Sequence, residues 1–173
     1  MINIKPTEFN TNIFKLWSKD WLLLTAGDFG KNDFNCMTIA WGSFGIMWNK
    51  PFVQVVVRPQ RYTLEFIEKY NDFTVCAFPA EFKKDLSLLG SKSGRDSNKL
   101  AETKLTAISS EIVKTPSYKE AELILECKKM FSSDMKPENF LDPKKLQNYP
   151  SKDFHRVYFG EILNIKGVGK YKL

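Results

Sequence analysis

The sequence predicts a mainly β fold, a closed or partly open antiparallel barrel with short helices between its strands. Six short runs are rich in Val, Ile, Phe, Thr and aromatic residues and are bounded by turn residues, which is typical of strands. A sheet with this much apolar surface must cover its faces and its edges, and a barrel achieves both. The length of 173 residues suits one domain, residues 1–173.

The six strand-like runs extend along most of the chain. The first two are joined by GDFGKNDF, whose Gly, Asp and Asn content suits a hairpin connection. The fifth run alternates, with four apolar residues on one face and Glu122 and Glu126 on the other, which predicts a strand with one solvent-exposed side. The runs are WLLLTA (21–26), CMTIAWGS (36–43), FVQVVV (52–57), FTVCAF (73–78), AELILEC (121–127) and VYFGEILNI (157–165).

Two stretches have helical character. TLEFIEKYND begins with Thr63, which is predicted to be the N-cap, and AEFKKDLSLLG is predicted to stop at Gly90. Two further stretches, SKSGRDSNK (91–99) and KPENFLDPKKLQNYPSKD (136–153), are predicted to be loops. Neither indicates a boundary between domains, because strand-like sequence resumes after each.

The net charge of +6 and the pI near 9.1 raise the hypothesis of nucleic-acid binding. The basic residues late in the chain are scattered through polar loops, without the aromatic pattern of an RNA-recognition motif or a helix-turn-helix signal. A solvated basic face is therefore the favoured interpretation, and nucleic acid is not an expected partner.

The expected location is the cytoplasm. The N-terminal residues have no uninterrupted apolar core before their charges, and WLLLTAG is far shorter than a membrane span. Cys36, Cys76 and Cys127 are odd in number, widely separated and set among strand-like residues, so we expect reduced core thiols rather than disulfides.

The usual signatures of metal sites and nucleophiles are absent. His155 is the only histidine, and the sequence contains no H-E-x-x-H, C-x-x-C or G-x-S-x-G motif. The GVGK near the C-terminus lacks the strand, spacing and helix of a phosphate loop. The sequence therefore predicts neither a metal site nor a catalytic side chain.

A cluster of anion-binding groups follows the third strand-like run. Arg58, Arg61 and Thr63 fall within six residues at a predicted strand-to-helix junction, where guanidinium groups, a hydroxyl and backbone N–H groups are able to face one phosphate. Ser93, Gly94, Arg95 and Lys99 lie in a loop that is able to fold over the same ligand. The alternative is that the two arginines form ordinary surface ion pairs.

The NCMTIAW segment has the features of a wall for a flat heteroaromatic ring. Asn35 and Thr38 are polar groups on an apolar strand, and Ala40 is small beside Trp41. Such a ring needs hydrogen bonds at its polar edge, a small residue where it approaches closely and an aromatic neighbour. The alternative is ordinary strand packing.

Four motifs, taken in order, resemble the flavin reductase-like proteins, the FMN-binding split-barrel family that includes flavoredoxins and NAD(P)H:flavin oxidoreductases. They are N-x-M-T-I-A-W-G-S (35–43), V-R-P-x-R-Y-T (57–63), S-G-R-D-x-x-K (93–99) and F-H-R-V-Y-F-G-E-I (154–162), and the resemblance runs from about residue 21 to 165. It implies an antiparallel Greek-key split β-barrel and a homodimer that holds FMN near its interface.

The resemblance also implies a set of cofactor-binding residues. Tyr62 and Ser93 belong to it, and His155 is expected to pack behind the cofactor rather than contact it. The sequence departs from the family pattern at Asn98 and Leu100, where relatives often have Asp and Phe around the lysine, and at Lys104. The implied phosphate and ribityl contacts are Arg58, Arg61, Thr63 and Lys99, and the implied ring contacts are Asn35, Met37, Thr38, Ala40 and Trp41.

The function implied by the resemblance is that of an FMN-dependent oxidoreductase. Hydride from NAD(P)H would pass to the flavin and then to an acceptor, which is free flavin, a ferric complex or a protein. The cofactor carries this reaction, so the lack of a catalytic side chain is expected. Two alternatives remain: a flavoredoxin-like carrier that passes electrons from tightly bound FMN to a protein partner, and a basic β-barrel that binds nucleic acid.

Overall fold

A computed structural model describes all 173 residues. Ten strands and three α-helices follow one another along the chain, with a π-helical turn at Leu16–Asp20 and several short 3-10 helices, including Ala80–Phe82, Lys99–Glu102 and Pro143–Asn148. The helices are α1 (Ile13–Lys15), α2 (Thr63–Lys69) and α3 (Lys83–Ser91). The strands are β1 (Ile2–Asn3), β2 (Leu22–Asp28), β3 (Asp33–Ile39), β4 (Gly42–Met47), β5 (Lys50–Val57), β6 (Asp72–Ala77), β7 (Ala107–Ile108), β8 (Ser117–Tyr118), β9 (Leu123–Asp134) and β10 (Arg156–Gly167).

Eight strands form one antiparallel sheet. Its hydrogen-bonded order is β3-β2-β6-β9-β10-β5-β4, with β1 added to β10, while β7 and β8 pair separately. The two ends of this order, β3 and β4, are consecutive in the chain and are linked by only Ala40 and Trp41. The sheet must therefore curl until its ends meet at this link. The prediction of a mainly β, antiparallel fold with short helices is confirmed.

The predicted strand CMTIAWGS is in fact two strands. β3 ends at Ile39 and β4 begins at Gly42, so the chain leaves one end of the sheet and enters the other. Only glycine fits at position 42, because a Cβ there would lie 2.3 Å from a ring carbon of the Trp17 indole and 2.4 Å from the Gln54 carbonyl oxygen. The prediction of one continuous strand was wrong because the apolar pattern continues across this change of direction.

The prediction that β9 has one solvent-exposed face was also wrong. Leu125 and Cys127 pack in the larger apolar cluster of the barrel, and Ile124 packs on the opposite face in a second cluster beside α3. Glu126, on the same side as Ile124, is only 1% exposed. The glutamate is buried because the segment at residues 111–113 covers it and donates backbone N–H groups to its carboxylate.

The remaining local predictions are largely confirmed. β2 and β3 form the expected hairpin, paired from Leu22 with Ile39 to Asp28 with Asp33. α3 extends one residue beyond Gly90. Thr63 is the first residue of α2 rather than its N-cap.

The three cysteines are free and buried, as expected for core thiols. None of the helices is both long and apolar enough to cross a bilayer.

Candidate functional site

A small cavity of about 90 Å³ lies where the start of α2 faces the C-terminal end of α3. Three cationic residues, Arg61, Lys92 and Lys99, line it together with Thr63, Ser91 and Ser93, which carry aliphatic hydroxyls. Lys92 forms an ion pair with Glu102, so Arg61 and Lys99 are the two cations without a carboxylate partner. α2 contributes Thr63 because the chain turns directly from β5 into this helix, and the loop after α3 contributes Ser93. The cavity thus collects groups from segments that are far apart in the sequence.

Backbone carbonyls at the end of α3 hold the two cations. The Arg61 guanidinium donates to the carbonyl of Gly90, and Lys99 Nζ donates to the carbonyl oxygens of Leu89 at 2.8 Å and Lys92 at 3.1 Å. Carbonyls in the last turn of a helix have no partner within the helix and carry its negative dipole, so they attract cations. This arrangement orients the two cations without neutralising them.

Neither cation forms an ion pair with a carboxylate, although both are substantially covered. Lys99 is only 4% exposed. Burial lowers the pKa of Lys99, and the positive charge of Arg61 lowers it further. Burial also lowers the pKa of Arg61, on which the positive charge of Arg58 acts in the same direction. A covered charge without a counterion is unfavourable, and an anion in the cavity would relieve it. The small cavity is therefore suited to an anionic group.

Asn35 and Thr63 form the buried floor of the small cavity. Asn35 Nδ2 donates to Thr63 Oγ1 over 2.8 Å, which leaves the hydroxyl proton of Thr63 available as a donor. Gly94 packs directly over this pair, since a Cβ there would lie 2.2 Å from Asn35 Oδ1 and 3.1 Å from the Tyr62 ring. The floor is therefore held between β3, α2 and the loop after α3.

A second cavity of about 370 Å³ adjoins the first, and Met37, Gln60 and Arg61 line both. Its wall is the end of β3 and the Ala40-Trp41 link, at the point where the two ends of the sheet meet. The volume is within the range of small-molecule sites. We call it the ring cavity, because its long wall of strand backbone and apolar side chains suits a flat ring.

The ring cavity has an aromatic rim. Trp41 is 50% exposed, and its ring centroid lies 5.2 Å from that of His155. Trp41 therefore does not belong to the barrel core. Thr38 is held at the wall by a hydrogen bond of 2.5 Å from its hydroxyl to the carbonyl of Leu86 in α3.

Arg58 lines the ring cavity, but its guanidinium already interacts with other groups of the protein. Its guanidinium pairs with Asp153 over 2.6 Å and donates to the Asn148 carbonyl over 2.9 Å, and it lies 5.1 Å from the Tyr149 ring centroid. All three partners come from the segment 136–153, so the ion-pair alternative holds for Arg58. For Arg61 it does not hold. Sequence gave no signal for this difference, because Asp153 lies about 95 residues further along the chain.

His155 is buried in the wall of the ring cavity, where its Nδ1 lies 2.8 Å from the Tyr149 hydroxyl oxygen. Burial and the nearby charges of Arg58 and Arg61 lower its pKa to about 4, against an opposing effect of Asp153. The imidazole is therefore neutral near pH 7 and does not add a third cation to the site.

The two cavities bring together the residues that the sequence singled out for the site except Arg95, which lines neither cavity and whose guanidinium pairs with Glu65 over 2.6 Å. Sequence reasoning missed Gln60, Ser91 and Lys92, although Gln60 stands inside the V-R-P-x-R-Y-T motif and Ser91 and Lys92 immediately precede S-G-R-D-x-x-K. The structure contains no group of three or more His, Cys, Asp or Glu residues that could hold a metal ion. The small cavity contains Asn35, Arg61, Tyr62, Thr63, Ser93 and Lys99, the ring cavity contains Thr38, Ala40, Trp41, Arg58 and His155, and Met37 and Arg61 line both.

The antiparallel sheet that closes at the Ala40-Trp41 link, with the two adjoining cavities beside it, defines a class of protein, the split β-barrels. The model of the flavin reductase like domain matches residues 19–170. The chain therefore belongs to the flavin reductase-like family.

Two curated relatives are archaeal proteins without a known function. One, from Pyrococcus abyssi, is 33% identical over 135 residues, which is 76% of this chain and 65% of the relative. The other, from Archaeoglobus fulgidus, is 33% identical over 94 residues, which is 54% of this chain and 52% of the relative. The matched part of the chain thus spans between half and two thirds of these relatives.

Solved structures of low sequence identity share the fold. An FMN-binding domain of a flavin reductases-like enzyme from Shewanella baltica has a TM-score of 0.68 at 19% identity, covering 95% of this chain and 75% of that one. A flavoredoxin from Methanosarcina acetivorans has a TM-score of 0.66 at 23% identity, covering 100% and 79%. An NADH:FAD oxidoreductase from Streptomyces globisporus, in complex with NAD and FAD fragments, has a TM-score of 0.64 at 15% identity, covering 86% and 74%.

Proposed function

We propose that this protein binds FMN and acts as an oxidoreductase of the flavin reductase type, with NAD(P)H as hydride donor and a flavin, a ferric complex or a protein as acceptor. The observation that carries the proposal is the pair of covered cations without carboxylate partners, Arg61 and Lys99, beside the ring cavity. FMN has a matching arrangement, with an anionic phosphate at one end and a flat ring at the other. We also propose that residues 1–173 form one FMN-binding unit.

In this proposal the phosphate is bound by Arg61 and Lys99, with the hydroxyls of Thr63 and Ser93 as further donors. The ring lies along Met37 and the end of β3. Bound FMN would supply the two-electron redox chemistry, which needs no acid or base from the protein. The protein would fix the position of the ring, exclude water with apolar side chains and keep the neutral imidazole of His155 beside it.

The nicotinamide donor is supported by family membership and by the NADH-dependent oxidoreductase among the proteins of similar fold. A second candidate function is that of a flavoredoxin-like electron carrier. The flavoredoxin from Methanosarcina acetivorans among the proteins of similar fold favours it. Steady-state oxidation of NAD(P)H in the presence of free FMN or a ferric chelate distinguishes the two, since only the reductase turns over the nicotinamide.

We further propose that the protein is a homodimer whose interface lies near the flavin. Exposed apolar side chains follow β4, an end strand of the sheet order, from Trp41 through Ile46 to Trp48. Several large apolar side chains exposed on and beside one strand favour a partner surface, and a two-fold dimer is the commonest way to cover them. Because Trp41 belongs both to this surface and to the ring cavity, the interface would reach the cofactor.

A cytoplasmic location is also part of the proposal. Cys36, Cys76 and Cys127 are free and buried, and burial raises the pKa of the thiols. Reduced, protonated thiols of this kind are typical of proteins that remain in a reducing compartment.

Binding of FMN and of riboflavin to the wild type and to Lys99→Met tests the proposed phosphate site. A charge-assisted hydrogen bond contributes roughly 1.5–3 kcal/mol. The FMN dissociation constant should therefore rise by about tenfold to a hundredfold. The riboflavin dissociation constant should stay unchanged, because riboflavin has no phosphate. Fluorescence titration of each ligand measures both constants.

Lys129→Met is a matched control. Lys129 is likewise a partly covered lysine that donates to backbone carbonyls, those of Ile67 and Glu68, but it lies outside the two cavities. It should leave the affinity for FMN unchanged. Equal affinities of the wild type for FMN and riboflavin would refute the phosphate site, and a failure of both flavins to bind would refute the proposed function.

A further inference from the structure

The segment 136–153 packs against the wall of the ring cavity, although none of its residues lines that cavity. It contacts two residues of the wall, Arg58 through Asp153 and His155 through Tyr149. The Tyr149 ring meets both of them, because its centroid lies 5.1 Å from the guanidinium carbon of Arg58 and 5.5 Å, edge to face, from the His155 ring centroid. Tyr149 is therefore placed to orient side chains that line the cavity.

Tyr149 is itself held in place by packing. It is only 6% exposed, and its ring centroid lies 4.9 Å from that of Phe154 and 5.7 Å from that of Phe140. Burial raises the pKa of Tyr149, so its hydroxyl keeps its proton at neutral pH. The hydroxyl oxygen has two neighbours, His155 Nδ1 at 2.8 Å and Met135 Sδ at 3.6 Å.

The hydroxyl proton of Tyr149 goes to the better of these two acceptors. A thioether sulfur accepts only weakly, and a phenol is a stronger proton donor than a neutral imidazole N–H, so the hydroxyl donates to Nδ1 of His155. A neutral imidazole carries one N–H, and with Nδ1 as acceptor this N–H is on Nε2. The lowered pKa of His155, about 4, keeps the imidazole in this neutral form near pH 7.

The Nε2 atom of His155 is open to a ligand. It has no hydrogen-bond partner in the protein, and the only side-chain polar atoms that are both buried and unpartnered are Trp17 Nε1 and Asp153 Oδ1. Nε2 is therefore accessible. Because His155 is only 8% exposed and lines the ring cavity, the accessible edge of its imidazole faces that cavity.

We propose that Tyr149 is a positioning residue of the ring cavity: its hydroxyl fixes the imidazole of His155 in the Nε2–H form, and Nε2–H donates a hydrogen bond to the bound ligand. The acceptor is a carbonyl oxygen or ring nitrogen, which comes either from the flavin or from a nicotinamide beside it. The donation to a ligand rests on the proposed function. The orientation of His155 by Tyr149 rests on the protein alone.

Nitrogen NMR of the imidazole tests this orientation in the protein without flavin. His155 is the only histidine, so its two ring nitrogens are the only imidazole signals. In the wild type at pH 7, Nδ1 should have the chemical shift of an unprotonated nitrogen and Nε2 that of a protonated one. Tyr149→Phe removes the hydroxyl and keeps the aromatic ring, so the two shifts should move towards each other as the two neutral forms mix.

Two control variants separate the effect of the hydroxyl from that of packing. Tyr70→Phe also removes a tyrosine hydroxyl, one that donates to Asp33, and it should leave both nitrogen shifts unchanged. Phe154→Leu weakens the packing around Tyr149 but keeps the hydroxyl, and it should retain the Nε2–H form.

Titration with FMN and then with NAD⁺ identifies the source of the acceptor. If the flavin supplies it, FMN should shift the Nε2 signal and slow the exchange of the Nε2 proton with water at least tenfold. If a nicotinamide supplies it, the same changes should appear only when NAD⁺ is added to the FMN-loaded protein.

The proposal is overturned if the proton is on Nδ1 in the wild type, if Tyr149→Phe leaves both shifts as they are, or if Phe154→Leu moves them as much as Tyr149→Phe does. It is also overturned if neither ligand changes the Nε2 signal of a protein that binds FMN. A failure of FMN to bind would instead refute the proposed function, and the spectra of the protein without flavin would still decide whether Tyr149 orients His155.

Discussion

At the scale of single residues, two arginines of one motif have different roles. Arg58 and Arg61 are three positions apart, yet Arg58 is paired with Asp153 while Arg61 contacts only a backbone carbonyl. The difference arises because the segment 136–153 reaches Arg58 at the end of β5 but does not reach Arg61 in the turn before α2. Only an arginine without a counterion remains available to an incoming phosphate.

We predict that the protonation of His155 makes the stability of the protein depend on pH. Its pKa in the folded protein is about 4, below the usual 6.5, so between these values the unfolded chain binds the proton more readily than the folded one. The free energy of unfolding should therefore fall as the pH is lowered from 6.5 towards 4, and this residue should contribute a loss of up to about 3 kcal/mol. The stability contributed by the neutral imidazole is fully present above pH 6.5.

Urea unfolding at pH 7 and at about pH 4.5 measures this effect in the wild type and in His155→Gln. Glutamine does not titrate and is also able to hydrogen-bond the Tyr149 hydroxyl, so the variant should lose less stability on acidification. The same pH dependence in both proteins would show that His155 is not responsible for it.

At the scale of elements, β9 depends on one buried carboxylate. Glu126 accepts backbone N–H groups of Ile112 at 2.7 Å and Val113 at 3.0 Å with one oxygen, and Glu111 N–H and Asn164 Nδ2 with the other. These bonds attach the segment after β7 to the outer face of the sheet. Val113 of this segment is itself buried, so the carboxylate also holds an apolar side chain away from water.

Glu126→Gln should lower the free energy of unfolding by about 3 kcal/mol, since hydrogen bonds to a charged group contribute roughly 1.5–3 kcal/mol each and an amide N–H₂ would face backbone donors. Urea unfolding monitored by tryptophan fluorescence measures the loss. Glu81→Gln, at an exposed glutamate in the 3-10 helix before α3, is the control and should change stability by less than about 0.5 kcal/mol. Equal stabilities of the two variants would contradict the prediction.

At the scale of the whole molecule, the apolar side chains along β4 are only partly covered, since the Trp48 ring centroid lies 6.1 Å from that of Phe131, which is itself 47% exposed. The hairpin from β4 to β5 turns through Trp48 and Asn49, both with positive φ, and presents the Trp48 indole at its tip with 60% exposure. A bulky residue is unusual in the left-handed region, where Gly, Asn and Asp are favoured. An exposed indole at such a tip is therefore costly unless another surface covers it.

Ile46→Lys should convert the proposed dimer to a monomer, because Ile46 is 68% exposed in the middle of this surface and a lysine there would be buried without a partner. Light scattering at micromolar concentration should give twice the chain mass of 20.0 kDa for the wild type and the single mass for the variant. Leu141→Lys is the control, since Leu141 is 99% exposed on another segment, and it should remain a dimer. A monomeric wild type would refute the dimer.

The sequence by itself determined the parts of the protein that depend on local pattern. Runs of β-branched and aromatic residues located the strands, and the turn residues of GDFGKNDF located the β2–β3 hairpin. The residues that line the two cavities could also be proposed from sequence, because their motifs place polar and charged side chains together at the ends of strands and helices. Alternation and local propensity act over a few residues, so they are readable without the fold.

Only the tertiary structure decided which of these groups remain free. Glu126 has the sequence environment of a solvent-exposed strand position, yet the segment at residues 111–113 buries it. Arg58 and Arg61 share one motif, yet only one of them meets the carboxylate of Asp153. The two cavities of the site adjoin because the sheet curls around the Ala40-Trp41 link, α3 packs on β3, and the loop after α3 folds against Asn35. Each of these contacts joins residues far apart in the chain. Which groups meet therefore depends on how whole strands, helices and loops pack against one another, and a local sequence pattern does not contain this information.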